Sequence, residues 1–164
     1  VSKANSGGIE KIPGRTIHPG SAEGEALVSR MGISFFGGVD PDTGIVVEKG
    51  HDLEGTSVAG KVLVFPGGKG STVGSFTLYR MKKAGTAPAA VLNAECEPVT
   101  AVGCILAGIP CLDRLPIGRL SSGERLRVDG AQGCVERLPS PSSRRRPSSG
   151  SGGGRRTRIR KRAE

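Results

Sequence analysis

The sequence predicts an α/β domain of β/β/α outline, in which a mixed sheet packs with two helices, followed by a disordered C-terminal tail. Three observations carry this. Short apolar runs alternate with glycine-rich turns, two longer segments carry helix-end signals, and the composition changes abruptly at residue 139.

Residues 25–29 (EALVS) and 33–36 (ISFF) read as strands, and the turn 37–44 separates them from a third at 45–48 (IVVE). Residues 61–65 (KVLVF) have the unbroken apolar character of a strand buried on both faces, ending at Pro66. A helix is expected over residues 71–83. Val73, Phe76, Leu78, Tyr79 and Met81 form its apolar side, and Gly85 lies just past its end. Residues 89–92 (AAVL) again have strand character. The second helix spans Pro98–Ala107, with the proline in its first turn and Gly108 after its end. Residues 109–112 return as a strand. Arg125–Asp129 and Cys134–Arg137 then form a closing hairpin around the turn 130–133.

The chain has 164 residues with 24 Lys or Arg and 15 Asp or Glu, a formal charge of +9. That charge is unevenly placed. Residues 1–138 hold 15 basic and 14 acidic side chains, whereas residues 139–164 hold nine basic ones against Glu164 alone. The tail is dominated by Ser, Gly, Pro and Arg, with too little apolar surface to offset the entropy of ordering. An Arg-rich tail attracts RNA and other polyanions by counterion release, so non-specific polyanion binding is one functional reading. The body has few aromatics (Phe35, Phe36, Phe65, Phe76 and Tyr79), which argues against a reader that stacks nucleic-acid bases. No run approaches the roughly 18 apolar residues of a membrane span. The first residues, VSKANSGG, lack the apolar region of a secretory signal. A cytoplasmic location is the expectation.

The most informative segment is Phe65-Pro66-Gly67-Gly68-Lys69-Gly70-Ser71-Thr72-Val73-Gly74-Ser75. It leaves a strand, makes a glycine turn and opens a helix, whose free N–H groups attract anions. Ser71 suits the helix N-cap, and Lys69 adds a positive charge. A plain capped strand–helix turn explains the serine and glycines equally well, but not the lysine. A P-loop requires Ser or Thr directly after Gly-Lys, whereas Gly70 follows Lys69. A dinucleotide fingerprint also fails, because Gly68, Gly70 and Gly74 are spaced one residue too far.

Cys96, Cys104, Cys111 and Cys134 contain no C-x-x-C pair and match no zinc spacing. Cys104 and Cys111 lie in apolar runs and read as buried small hydrophobes. His18 and His51 belong to no metal or triad pattern. Asp40 either caps its own turn or lines a site.

Taken together, several motifs resemble the aconitase X group, specifically its small subunit or swivelling domain. They are Ser34-Phe35-Phe36-Gly37-Gly38-Val39-Asp40-Pro41-Asp42-Thr43-Gly44, then His51-Asp52-Leu53-Glu54-Gly55, then Gly68-Lys69-Gly70-Ser71-Thr72-Val73-Gly74-Ser75. Ala87-Pro88-Ala89-Ala90-Val91-Leu92 and Ala107-Gly108-Ile109-Pro110 extend the likeness. Three positions depart from it: Lys69 stands where Arg is expected, Phe36 where Trp is common, and Asp52 where Pro is common.

The resemblance covers a swivelling domain over residues 13–138, which leaves a flexible N-terminus over residues 1–12 and the disordered basic tail over 139–164. It implies a hydro-lyase subunit acting on a small hydroxy acid, such as mevalonate 5-phosphate or cis-3-hydroxyproline. A large catalytic subunit is the implied partner in a heterodimer. The iron or iron–sulfur centre is expected there, with no cofactor or metal bound by this chain. Carried onto this sequence, Ser71 is the proton-abstracting residue. Gly68, Lys69 and Gly70 are expected to hold the substrate's anionic group, with Ser75 and Asp40 also in the substrate-binding set. A phosphohistidine-carrying swivel domain has a similar outline, supported by Gly108-Ile109-Pro110 and the closing hairpin. Such a domain needs a histidine at a helix start, and Pro98–Ala107 contains none.

Overall fold

The computed structural model describes residues 8–139. The expected disorder of the basic tail therefore falls outside the described residues, save for Pro139. Among the described residues, no helix is long and apolar enough to cross a membrane.

Among the described residues, eight strands form one mixed sheet. They are β1 (Lys11–Pro13), β2 (Arg15–His18), β3 (Ser21–Val28), β4 (Val62–Phe65), β5 (Ala90–Asn93), β6 (Cys111–Asp113), β7 (Arg125–Asp129) and β8 (Cys134–Arg137). Their order across the sheet is β1-β8-β7-β3-β4-β5-β6-β2. The segment β3-β4-β5-β6 is parallel, and β7, β8 and β1 continue from β3 antiparallel. Strand β3 serves both halves: residues 21–25 pair with β7, whereas residues 26–28 pair with β4.

The two ends of the sheet, β1 and β2, are halves of one extended segment divided at Gly14. β1 pairs with β8 and β2 with β6, so this one segment covers the outer edges of both β8 and β6. Any Cβ at Gly14 would lie 2.8 Å from the Asp113 carbonyl oxygen and 2.7 Å from Leu115 Cδ2, so the hand-over requires glycine. Paired backbone thus begins at Lys11, inside the stretch expected to be flexible.

Among the described residues, three α-helices and a short 3-10 helix (Ile117–Arg119) accompany the sheet. α1 (Phe35–Gly38) is a single broken turn, with non-helical angles at Phe36 and at Gly37, whose φ is 82°. α2 (Gly74–Ala84) and α3 (Pro98–Ala107) are the two crossover helices, and each ends on a left-handed glycine, Gly85 and Gly108. Both pack on one face of the parallel strands. There Leu63, Phe65 and Val91 meet Leu78, Met81, Cys104 and Ile109. The alternate residues Val62, Val64, Ala90 and Leu92 point the other way, into a second core with Ile12, Leu126, Val128 and Val135. Burial on both faces explains the continuous apolar runs of β4 and β5.

Three local expectations change. Residues 33–36 are not a strand: Ile33 makes an isolated bridge to Gly68, after which the backbone breaks at Phe36 and Gly37. Residues 45–48 contribute only the bridges of Ile45 to Ser57 and Val46 to Val39. Helix α2 begins at Gly74, not at Ser71, and it buries Leu78 and Met81 with small residues. Val73, Phe76 and Tyr79 face outward instead.

Candidate active site

Strands β4 and β5 end at Phe65 and Asn93, and α2 and α3 begin beyond them. The loops 66–73 and 94–97 therefore meet outside the carboxyl ends of parallel strands, the usual ligand position of an α/β sheet. Residues 32–34 form the floor beneath the first loop. Ile33 N–H donates to the Gly67 carbonyl at 3.3 Å, and Lys69 N–H donates to the Ile33 carbonyl at 3.0 Å. Two glycines allow close contact there. A side chain at Gly68 would strike Glu97 Oε1 and Thr100 Oγ1, and one at Gly70, where φ is 88°, would strike Ser34 Oγ.

Ser71 is exposed and lies three residues ahead of α2. Its Oγ accepts a hydrogen bond from Val73 N–H at 3.2 Å, and its carbonyl accepts from Gly74 N–H at 3.0 Å. It therefore organises the turn that starts the helix without being the helix N-cap. The Ser71 and Thr72 N–H groups donate to no acceptor among the described residues. The Val73 amide already aimed at Oγ is a donor that would stabilise negative charge on that oxygen.

The neighbouring helix start has the opposite character. The Glu97 carboxylate accepts from Val99 N–H and Thr100 N–H, both at 2.7 Å, and so seals the positive end of α3. α2 has no acidic residue in its first turn and no capping side chain. The Gly74, Ser75 and Phe76 N–H groups of α2 donate to the Ser71, Thr72 and Val73 carbonyls, so the amides left for an external anion are those of Ser71 and Thr72, just ahead of the helix and facing no carboxylate cap.

Lys69 is exposed at the rim of the loop, and its ammonium lies 2.7 Å from Glu48 Oε1. Ser75, expected to bind substrate, is instead buried, and its hydroxyl donates to the Val99 carbonyl at 2.6 Å. Its place is between the helices. Gly68 takes part through close packing against α3. Asp40 caps its own turn, its Oδ1 accepting from Asp42 N–H at 2.9 Å. It also lines an open cleft of about 520 Å³, together with Phe36, Val47, Val73, Phe76 and Arg80. Phe36 is 53% exposed and Phe76 66%, so the cleft is rimmed by uncovered aromatic surface.

The model of the aconitase X swivel domain matches residues 11–137. The chain belongs to the aconitase X swivel-domain family. It is 53% identical over 137 residues to the phosphomevalonate dehydratase small subunit of Methanosarcina acetivorans, a match covering 82% of this chain and 95% of that one. To the protein of that name from Thermococcus onnurineus it is 52% identical over 126 residues, covering 77% of this chain and 97% of the other. Its fold is similar to the crystal structure of Thermococcus kodakaraensis aconitase X in its holo-form. The TM-score is 0.78 at 49% identity, covering 79% of this chain and 99% of that one.

In this swivel domain His51, Cys96 and Cys111 sit in packed surroundings. Buried His51 bonds the Gly32 carbonyl through Nε2 at 3.0 Å and accepts from Leu53 N–H at Nδ1 at 3.1 Å, bracing the floor under the loop. Cys96 and Cys111 lie with sulfurs 3.9 Å apart. Hydrogen bonding to Cys111, followed by burial, pushes the Cys96 thiol far above its ordinary value. Hydrogen bonding to Cys104 and burial raise that of Cys111. Both stay protonated and are poor nucleophiles and ligands. Among the described residues, no three His, Cys, Asp or Glu side chains converge as a metal-binding group, so they do not fit an iron or iron–sulfur centre.

Sequence reasoning missed Ser34, Glu48 and Glu97. Glu97 had a signal, since an acidic residue directly before Pro98 occupies the N-cap position. Glu48 had none, because 21 residues separate it from Lys69.

Proposed function

We propose that this chain is the small subunit of a hydro-lyase that removes water from mevalonate 5-phosphate, in a site shared with a large subunit. The observation that carries this reading is Ser71, exposed on a glycine loop just ahead of α2 with Lys69 two residues away. Relatives more than half identical bear the name phosphomevalonate dehydratase small subunit, which supports the substrate.

Mevalonate 5-phosphate is a 3-hydroxy acid. Its dehydration takes a proton from the carbon beside the carboxylate and hydroxide from the next carbon. A serine hydroxyl is a weak base unless its alkoxide is stabilised. Here the Val73 amide, the start of α2 and the Lys69 ammonium favour that alkoxide. Ser71 Oγ receives the proton, and the electron pair of the broken C–H bond becomes the new double bond as hydroxide departs. Lys69 and the free backbone amides of the loop hold one anionic end of the substrate. An iron or iron–sulfur centre on the large subunit would supply a Lewis acid for the departing hydroxyl. This chain's own part ends with the proton and the anion.

The uncovered Phe36 and Phe76 around the cleft are the kind of apolar surface that a partner covers. The small subunit alone is inactive in this reading. The test is to combine the chain with a phosphomevalonate dehydratase large subunit and follow water loss from mevalonate 5-phosphate by proton NMR. Turnover that Ser71→Ala abolishes is the expected result. Normal turnover by that variant would overturn the base assignment, and dehydration of cis-3-hydroxyproline instead would overturn the substrate.

A further inference from the structure

We propose that Glu48 is a positioning residue for the reaction: its carboxylate holds the Lys69 ammonium over the loop, so that the substrate's anion meets a cation already in place. This rests on the reading of Lys69 as an anion-binding group.

Lys69 is held along its whole length. Its amide donates to the Ile33 carbonyl at 3.0 Å. Its stem lies over Gly32, where a Cβ would sit 3.6 Å from both Cγ and Cδ. Its ammonium then meets Glu48 Oε1 at 2.7 Å. Glu48 is itself fixed, because the Gly38 carbonyl accepts from both Val47 N–H, at 2.9 Å, and Glu48 N–H, at 3.3 Å. That carbonyl belongs to the turn that follows Ser34, the residue under Gly70. The brace and the loop are therefore mounted on the same backbone segment.

The chemistry of lysine explains why a brace matters. An ammonium on a four-carbon stem has many rotamers, whereas a guanidinium presents a planar, pre-organised fork. Freezing the stem in advance removes part of the ordering cost that ligand binding would otherwise carry. The ammonium has three N–H donors, so Glu48 leaves others for an incoming phosphate or carboxylate. The Glu48 carboxylate would also repel that anion. Positioning and competition predict opposite signs for its removal.

In the two-subunit enzyme, Glu48→Ala should raise KM for mevalonate 5-phosphate about three- to fivefold, the scale of a partly exposed ion pair, with little change in kcat. Glu48→Asp should recover part of the loss. The same substitution should have no further effect in a Lys69→Ala background, and a smaller effect in a Lys69→Arg background. An unchanged or lowered KM in Glu48→Ala would overturn the proposal while leaving Lys69 as the anion-binding group. An unchanged KM in Lys69→Ala would overturn both. A second readout needs no turnover. In the full chain, Glu48→Ala should speed acetylation of the Lys69 amine by acetic anhydride relative to Lys82, measured by mass spectrometry. Equal rates would show that Glu48 does not hold the amine.

Discussion

Ser75 Oγ donates a 2.6 Å hydrogen bond to the carbonyl of Val99, tying the first turn of α2 to the first turn of α3. The hydroxyl thereby satisfies itself between two helices and has no part in the open site. Ser75→Ala should cost about 1 kcal/mol of stability, the net worth of a buried hydrogen bond, and leave KM unchanged. Urea unfolding together with steady-state kinetics checks both halves. A raised KM with unchanged stability would return Ser75 to the substrate.

Ser71 behaves oppositely. Its side chain is exposed and its single described contact is with the Val73 amide. Ser71→Ala should lower turnover about a hundredfold or more, the usual scale of a lost general base. Thermal stability and assembly with the large subunit should change little. Size-exclusion chromatography of the mixed subunits separates lost chemistry from lost assembly.

Helix α3 contains Gly103, a residue with poor helix propensity. A Cβ there would lie 2.5 Å from Leu78 Cδ1 and 3.2 Å from the Ser75 Cα, so the two helices touch through it. Gly103→Ala should destabilise the chain by about 1–3 kcal/mol, as overpacking does, despite the better propensity of alanine. A higher melting temperature in the variant would show that the helices can separate freely.

Asp113 is fully buried, and both its oxygens engage Arg15, at 2.9 and 2.8 Å, while Oδ2 also accepts from Cys96 N–H. Burial alone would raise its carboxyl, but the Arg15 guanidinium and the Cys96 amide outweigh that and hold it below the ordinary carboxylate value. A carboxyl lowered in the fold contributes stability that is fully present above the unfolded value of about 4. The contribution is lost as pH falls through the folded value. Stability should therefore decline on acidification below about pH 4. Asp113→Asn should be less stable at neutral pH and show a flatter acid limb. Urea midpoints measured across pH report both effects.

What could be read from the sequence divides by the range of the cause. Helix α3 was legible because Pro98 and Gly108 act on their own neighbours. Strands β4, β5, β7 and β8 were legible because burial writes apolar runs or alternation into the chain. β1 and β2 were not. Residues 11–18 read KIPGRTIH, with a proline, a glycine and two cations, and are strands only because β8 and β6 pair with them from about a hundred residues away. The glycine turn between β4 and α2 was legible from Gly67, Gly68 and Gly70. The burial of Ser75 was not legible because Val99 and Gly103, which lie against it, come from far along the chain.

The division of residues 11–18 between β8 and β6 sets an order of events in folding. This segment leaves the ribosome before nearly all of the described chain, yet it has nothing to pair with until Cys111–Asp113 and Cys134–Arg137 are in place. Among the described strands, the first to be synthesised cannot pair until the last has been made. Until it does, β6 and β8 each carry an open edge, and the chain is most prone to join with its neighbours at that stage.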